Sequence, residues 1–163
     1  MRRTASFVPC APAIYTCDCC RCRRFKELVE ANYFSECRLY RVVPGFIIQW
    51  GIPADPAAYQ KWGDNKIRDD KVKVSNKPRT LSFATSGPDA RGSQVFVNLE
   101  DNDNLDGQGF SPFAEVTKGY ELFAGCQQPA GKIDQHQGKQ SGNAYFTKAC
   151  PEASYWAKAV IKG

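Results

Sequence analysis

Apolar residues first recur at a helical interval in RFKELVEANYF, where Phe25, Leu28, Val29 and Tyr33 fall at i, i+3, i+4 and i+8 and form one stripe. That spacing predicts a short helix beginning at Arg24. The pattern then changes: CRLYRVVPGFIIQWGI is two β-rich runs parted by Pro44 and Gly45, which predicts two strands around a tight bend. Residues 51–79 are polar, carry prolines at 53, 56 and 78, and read as a long loop. TLSFAT predicts a short strand, SGPDARG a turn and SQVFVNL a further strand. In that last run Gln94, Phe96 and Asn98 share one face while Val95, Val97 and Leu99 share the other, because side chains alternate across a strand. One face is made for packing and the other is mixed. EDNDNLDGQGFSP reads as a turn-rich loop, FAEVTKGYELFAG as a strand and then a helical turn, QQPAGKIDQHQGKQSGN as loop, and AYFTKACPEASYWAKAVIKG as the carrier of a last short strand. Short strands, Gly and Pro turns and few helices predict a mainly β, antiparallel, closed architecture.

Composition adds scale. A chain of 163 residues is most simply one domain, long enough to bury about two thirds of its unfolded surface without covalent staples. Its net charge of +5 is local: Arg2, Arg3, Arg21, Arg23, Arg24 and Lys26 face only Asp18, and from Glu27 onward sixteen basic residues meet sixteen acidic ones. The body is neutral, so a nucleic-acid footprint would have to be the N-terminal arm alone, and nucleic acid is not the expected partner. No run approaches the roughly 18 apolar residues of a membrane helix, and no membrane span is expected. Pro9 and Pro12 interrupt the start too early for a secretory signal, which favours an intracellular setting, cytosol or organelle.

Several chemistries can be set aside. His136 is the sole histidine, lies in a Gly/Gln-rich stretch, and has no nucleophile elbow near it. Asn102, Asn104, Asp106 and Gly107 imitate half of a calcium loop, but Phe113 stands where the bidentate Glu belongs. No phosphate-loop glycine spacing is present. CDCCRCRRF is harder, since Cys17 with Cys20 and Cys19 with Cys22 form overlapping C-x-x-C pairs. Four thiolates within six residues strain a single tetrahedral site, and a vicinal Cys19–Cys20 bridge is strained as well. Plain thiols, a disulfide involving Cys10 or Cys37, and a metal or redox role all stay open, with the adjacent arginines favouring thiol reactivity.

YRVVPGFIIQWG and LSFATSGPDARGSQVFVNLEDNDNLDGQGFSPFAEV resemble the cyclophilin family of peptidyl-prolyl cis/trans isomerases. The helix RFKELVEANYF before them and GNAYF…CPEASYW after them fit the same likeness, strong from Phe25 to Val116 and weaker to about Ile161. The resemblance implies an eight-stranded antiparallel barrel, closed or partly open, capped by short helices, with a peptide groove on its outer face. It divides the chain into a basic, Cys-rich arm or shortened hairpin over 1–24 and a cyclophilin-like domain over 25–163. By the same likeness Arg41 is the catalytic residue. Phe46, Ile47, Phe96 and Leu105 line a proline pocket, Gln49 and Gln94 hydrogen-bond the peptide, and Ala84, Thr85 and Ser86 form the strand edge beside it.

The implied partners are proline-containing polypeptides, no cofactor is needed, and the arm offers a route into a larger protein complex. A catalytically weak structural subunit of such a complex is the alternative. Departures from the family pattern are Ile47 for a methionine, Asn104 for a tryptophan, and a loop LDGQGFSPF one residue longer in which the pocket histidine is absent and Phe110 fills the space. Loss of the tryptophan implies weak cyclosporin-type inhibition. At the N-terminus, ASFVP and AIYTCDC either make a shortened hairpin or leave the barrel open on that side, with strand edges exposed.

Overall fold

The structure is a computed structural model that describes residues 2–3, 6–9, 19–127, 129 and 132–161. Among them the chain runs β1 (Arg2–Arg3), β2 (Ser6–Pro9), α1 (Cys20–Glu30), β3 (Cys37–Arg38), β4 (Arg41–Val43), β5 (Ile47–Trp50) and α2 (Pro56–Ala58). It continues β6 (Thr80–Phe83), β7 (Val95–Asn98), β8 (Pro112–Lys118), α3 (Glu121–Ala124), α4 (Gln135–Ser141), α5 (Asn143–Ala149) and β9 (Tyr155–Trp156). Six strands hydrogen-bond in the order β2-β8-β6-β7-β5-β4, antiparallel throughout. A smaller sheet has the order β1-β9-β3, with β1 parallel to β9. The molecule is mainly β, as the patterning predicts.

Register explains the two faces. Val42, Ile48, Val97, Leu81 and Ala114 stand side by side across five strands and are all buried, so this row is the spine of the core. One residue along, Arg41, Gln49, Phe96 and Ser82 are cross-strand neighbours on the opposite face. A single-residue slip would exchange the rows, and the apolar row resists that by burial. The core adds Trp50, Phe83, Phe113, Phe123 and Trp156, several in tilted or edge-on aromatic contact.

Several elements depart from the sequence expectation. Helix α1 begins at Cys20, four residues before Arg24, because Cys19 caps it with its sulfur and because its buried face includes Arg21 and Arg24, which an apolar count misses. Residues 51–79 are not all loop: Asp55 accepts from the Ala57 N–H, Pro56 opens α2, and a π-helical turn follows at Tyr59–Gly63. QHQGKQS is the helix α4, capped by Asp134, which accepts from the N–H groups of His136 and Gln137; it carries no apolar stripe and so has no periodic signal. NAYFTKA is α5, and only Tyr155–Trp156 form the last strand. Between α4 and α5, Gly142 has φ +54 and a Cβ there would meet the Ala54 carbonyl at 2.0 Å, so this bend needs glycine. Ser6–Pro9 of ASFVP pairs antiparallel with β8. Of the second half of the expected hairpin, AIYTCDC, residues 13–18 lie outside the described residues, and Cys19 is the cap of α1.

Candidate active site

On the polar face, short strands bring four side chains into one network. Arg41, exposed at the start of β4, donates from a guanidinium N–H to Gln49 Oε1 at 3.0 Å. Gln49 is buried, and its amide nitrogen donates to Tyr40 Oη at 3.1 Å and to Gln94 Oε1 at 3.0 Å. The Tyr40 hydroxyl in turn donates to Gln94 Oε1. Complete burial pushes the Tyr40 phenol well above its ordinary value, so it stays protonated and keeps this donor. Gln94 Oε1 is thereby fully engaged, while its amide nitrogen has no partner among the described residues. One guanidinium face and one amide donor are left for a ligand.

Beside the network lies an apolar patch of Ile47, Phe96 and Leu105, with Phe46, Ala84 and Phe110 packed on it. The rings of Phe96 and Phe110 meet edge-on at 5.6 Å. Leu105 and Phe110 come from a loop, and a buried polar system holds that loop to the sheet. Asn76 donates to Asp106 Oδ1 and to the Phe110 carbonyl, both at 2.7 Å, and its own Oδ1 accepts from Ser82 and Asn98. Asn102 donates to the Phe46 carbonyl at 3.0 Å and to Asn98 Oδ1 at 2.8 Å. Partial burial works to raise the Asp106 carboxyl, but the nearby Ser75 hydroxyl, hydrogen bonds from the Asn76 side chain and N–H, and the Lys77 charge outweigh it and hold the group below its ordinary value. Arg91, 1% exposed, pairs with Asp69 and donates to the Gly109 carbonyl at 2.6 Å, clamping the loop from its other side.

Network and patch open on one cavity of about 440 Å³. All eleven residues singled out from the sequence line it: Arg41, Phe46, Ile47, Gln49, Ala84, Thr85, Ser86, Gln94, Phe96, Leu105 and Phe110. Ala84, Thr85 and Ser86 follow the end of β6, with the Ala84 N–H donating to the Gln94 carbonyl at 2.9 Å. Asn104 is exposed and is not in the lining, whereas Gln108 is.

Sequence reasoning missed the far end of the cavity, where Tyr59, Lys66 and Lys139 stand. They come from stretches read as loops, and only the packing of α2 beside α4 brings them together. Lys66 donates to the Gly63 carbonyl, and the Lys139 ammonium lies 5.5 Å from the centre of the Tyr59 ring. Burial first, then repulsion from Lys139 and Arg24, lowers the Lys66 ammonium against an opposing pull from Asp64. It missed Tyr40 as well, although Tyr40 sits one residue before Arg41 in the quoted motif. His136 is exposed on the first turn of α4 and takes no part in the cavity.

The sheet and this groove define a β domain with an apolar patch and fixed donors side by side in one cavity on its polar face. The chain belongs to the cyclophilin-type peptidyl-prolyl cis-trans isomerase family, whose model matches residues 19–143. It is similar to peptidyl-prolyl cis-trans isomerase CYP18-2 of Arabidopsis thaliana, with 33% identity over 108 residues that make up 63% of each chain. It is similar also to peptidyl-prolyl cis-trans isomerase-like 1 of Homo sapiens, 31% identical over 103 residues and 60% of each chain. The match thus spans less than two thirds of these relatives' length. Among solved structures it resembles a Cryptosporidium parvum cyclophilin-type isomerase crystallised in the presence of the dipeptide Ala-Pro. That match has a TM-score of 0.56, 24% identity, and covers 74% of this chain and 78% of the other. A second crystal structure of that protein matches with a TM-score of 0.52 and 25% identity, covering 66% of this chain and 71% of the other.

Proposed function

We propose that this chain is a peptidyl-prolyl cis/trans isomerase acting on X-Pro bonds of polypeptides, with Arg41 as its catalytic residue. The observation that carries the reading is the joining of the Arg41–Gln49–Gln94 network to the Ile47, Phe96 and Leu105 patch in one cavity. The reaction makes and breaks no covalent bond. Its barrier, about 18–20 kcal/mol, is amide resonance, and it falls when the bond twists and the proline nitrogen regains a lone pair. In this scheme the apolar patch holds the pyrrolidine ring, Gln94 holds the peptide, and an Arg41 N–H donates to the developing lone pair. Gln49 occupies one Arg41 donor and fixes where the others point.

Turnover in milliseconds would be an acceleration of about five decades, or roughly 7 kcal/mol of differential stabilisation. A single charge-assisted hydrogen bond supplies about 1.5–3 kcal/mol. Desolvation in the pocket and grip on the flanking peptide carry the remainder. Arg41→Ala is therefore expected to lower kcat/KM for a proline tetrapeptide by about ten- to a hundredfold, and an Arg41→Ala chain as active as wild type would overturn the role given to Arg41. A folded wild type that leaves the uncatalysed rate unchanged would overturn the function itself.

We infer further that the two sheets are arcs of one closed barrel. In support, β1 leads within a few residues into β2, and β3 into β4, so the edges of one sheet run on into the edges of the other.

A further inference from the structure

The cysteine cluster has no part in the groove, yet its geometry is specific. Cys19 is the N-cap of α1, with φ −74 and ψ 150, and its sulfur accepts from the Cys22 N–H at 3.3 Å. Cys22 is the third residue of the helix, and its thiol donates to Cys19 Sγ at 3.1 Å, about 1 Å longer than a disulfide bond. Of the two, Cys22 lies further in, packed against the core and reaching the Phe113 carbonyl at 3.4 Å. Both residues are partly exposed.

Two of the three arginines beside them are engaged with other partners. Arg21 pairs with Asp70 at 3.3 Å, while Arg24 pairs with Glu27 and donates to the Asn65 carbonyl at 2.5 Å. The helix start supplies one fixed donor to Cys19: the Cys22 N–H points at its sulfur, a contact of the kind that favours a thiolate. Cys37 and Cys150 are buried and lie far along the sequence. Among the described residues no three His, Cys, Asp or Glu side chains converge as metal ligands, and the described sulfur–sulfur contact joins Cys19 to Cys22.

We propose that Cys19 and Cys22 form a redox-active dithiol that exchanges electrons with a disulfide of the glutathione class. The Cys19 thiolate attacks one sulfur of oxidised glutathione, forms a mixed disulfide and releases one glutathione thiolate. Cys22 loses its proton to solvent and attacks Cys19 Sγ, closing the intrachain disulfide and releasing the second glutathione thiolate. Two electrons pass from the chain to glutathione, and the reverse sequence restores the dithiol. The assignment is independent of the isomerase reading, since none of its atoms lines the groove.

The test uses the full chain, reduced, freed of reductant, equilibrated over a series of reduced-to-oxidised glutathione ratios, quenched in acid, alkylated and mapped by mass spectrometry. Trypsin cuts after Arg21, so a Cys19–Cys22 disulfide leaves two peptides joined and two hydrogens lighter. Joined peptides are expected in wild type and in Cys20→Ser, and they are expected to vanish in Cys19→Ser. In Cys22→Ser a lasting glutathione adduct on Cys19 should accumulate, because the resolving thiol is gone. Linkage of Cys19 or Cys22 to any other cysteine, or a wild type still fully reduced in oxidised glutathione alone, would overturn the proposal.

Discussion

Replacing Gln49 with Leu would keep the side-chain volume but remove the acceptor that fixes Arg41 and a donor to Tyr40 and Gln94. A strand arginine with no partner sweeps many rotamers, so its encounter with the twisted amide becomes rarer. Steady-state kinetics on a proline peptide are expected to show kcat falling about tenfold or more, while KM changes less, since the apolar patch is untouched. Cys37 makes a second residue-scale test. It is fully buried, its thiol donates to the Ile52 carbonyl at 3.1 Å, and burial pushes its pKa from 9.0 up to about 12. The folded state therefore keeps a proton that the unfolded chain loses above pH 9.0. Stability from this group is fully present below pH 9.0 and falls by about 1.4 kcal/mol per pH unit between there and about 12. Denaturant midpoints measured from pH 8 upward should show that decline, and Cys37→Ala should lessen it. Burial also raises Tyr33 and Tyr40, so a shallower fall of the same sign is expected to persist in the variant.

At the scale of elements, Asn76 joins the loop that carries Leu105 and Phe110 to strands β6 and β7. It is fully buried and makes four side-chain hydrogen bonds. Asn76→Ala leaves Asp106, Ser82 and the Phe110 carbonyl short of a partner, at a cost to unfolding free energy of about 2–4 kcal/mol. Chemical denaturation measures that cost. KM for a proline peptide should rise as well, because the loop wall of the pocket loosens. Strands β5 to β8 were legible in the sequence as short β-rich runs set off by polar or Gly- and Pro-containing stretches, and β7 also alternates between core and groove. Helix α4 was not, because QHQGKQS is held by the Asp134 cap and by Gly138 lying under the Phe146 ring rather than by an apolar face. The start of α1 was hidden for a related reason: Arg21 and Arg24 are inside the protein because Asp70, Glu27 and two carbonyls wait for them there, and those partners are distant in sequence or carry no pattern.

For the molecule as a whole, the charge along the groove predicts, on the proposed function, a preference among peptides. Arg41, Lys66 and Lys139 line it and, among the described residues, no carboxylate does. Tetrapeptides carrying Glu beside the X-Pro pair are expected to be turned over several-fold faster, as kcat/KM, than their Lys counterparts at low salt, and the ratio should shrink as salt is added. Lys66→Ala and Lys139→Ala together should shrink the ratio towards what Arg41 alone sustains, while sparing a neutral peptide. Because the Lys66 ammonium is lowered from its ordinary value of 10.5, the advantage of Glu should begin to fade below that pH rather than at it. The eleven groove residues illustrate where sequence information lies. Arg41, Ile47, Gln49 and Phe96 sit on strands, where period-two alternation assigns each side chain to a face from the order of residues alone. By itself the sequence determined the mainly β class, the two faces of the central strands and the residues of the family motifs. Only the tertiary structure decided that Tyr40 steadies Gln49, that Asn76 and Arg91 clamp the pocket loop, that two lysines from separate stretches of the chain close the groove, and that two of the clustered thiols meet at a helix start. Each of these depends on contacts between segments far apart in the chain or on a capping geometry, and neither leaves a periodic mark in the order of residues.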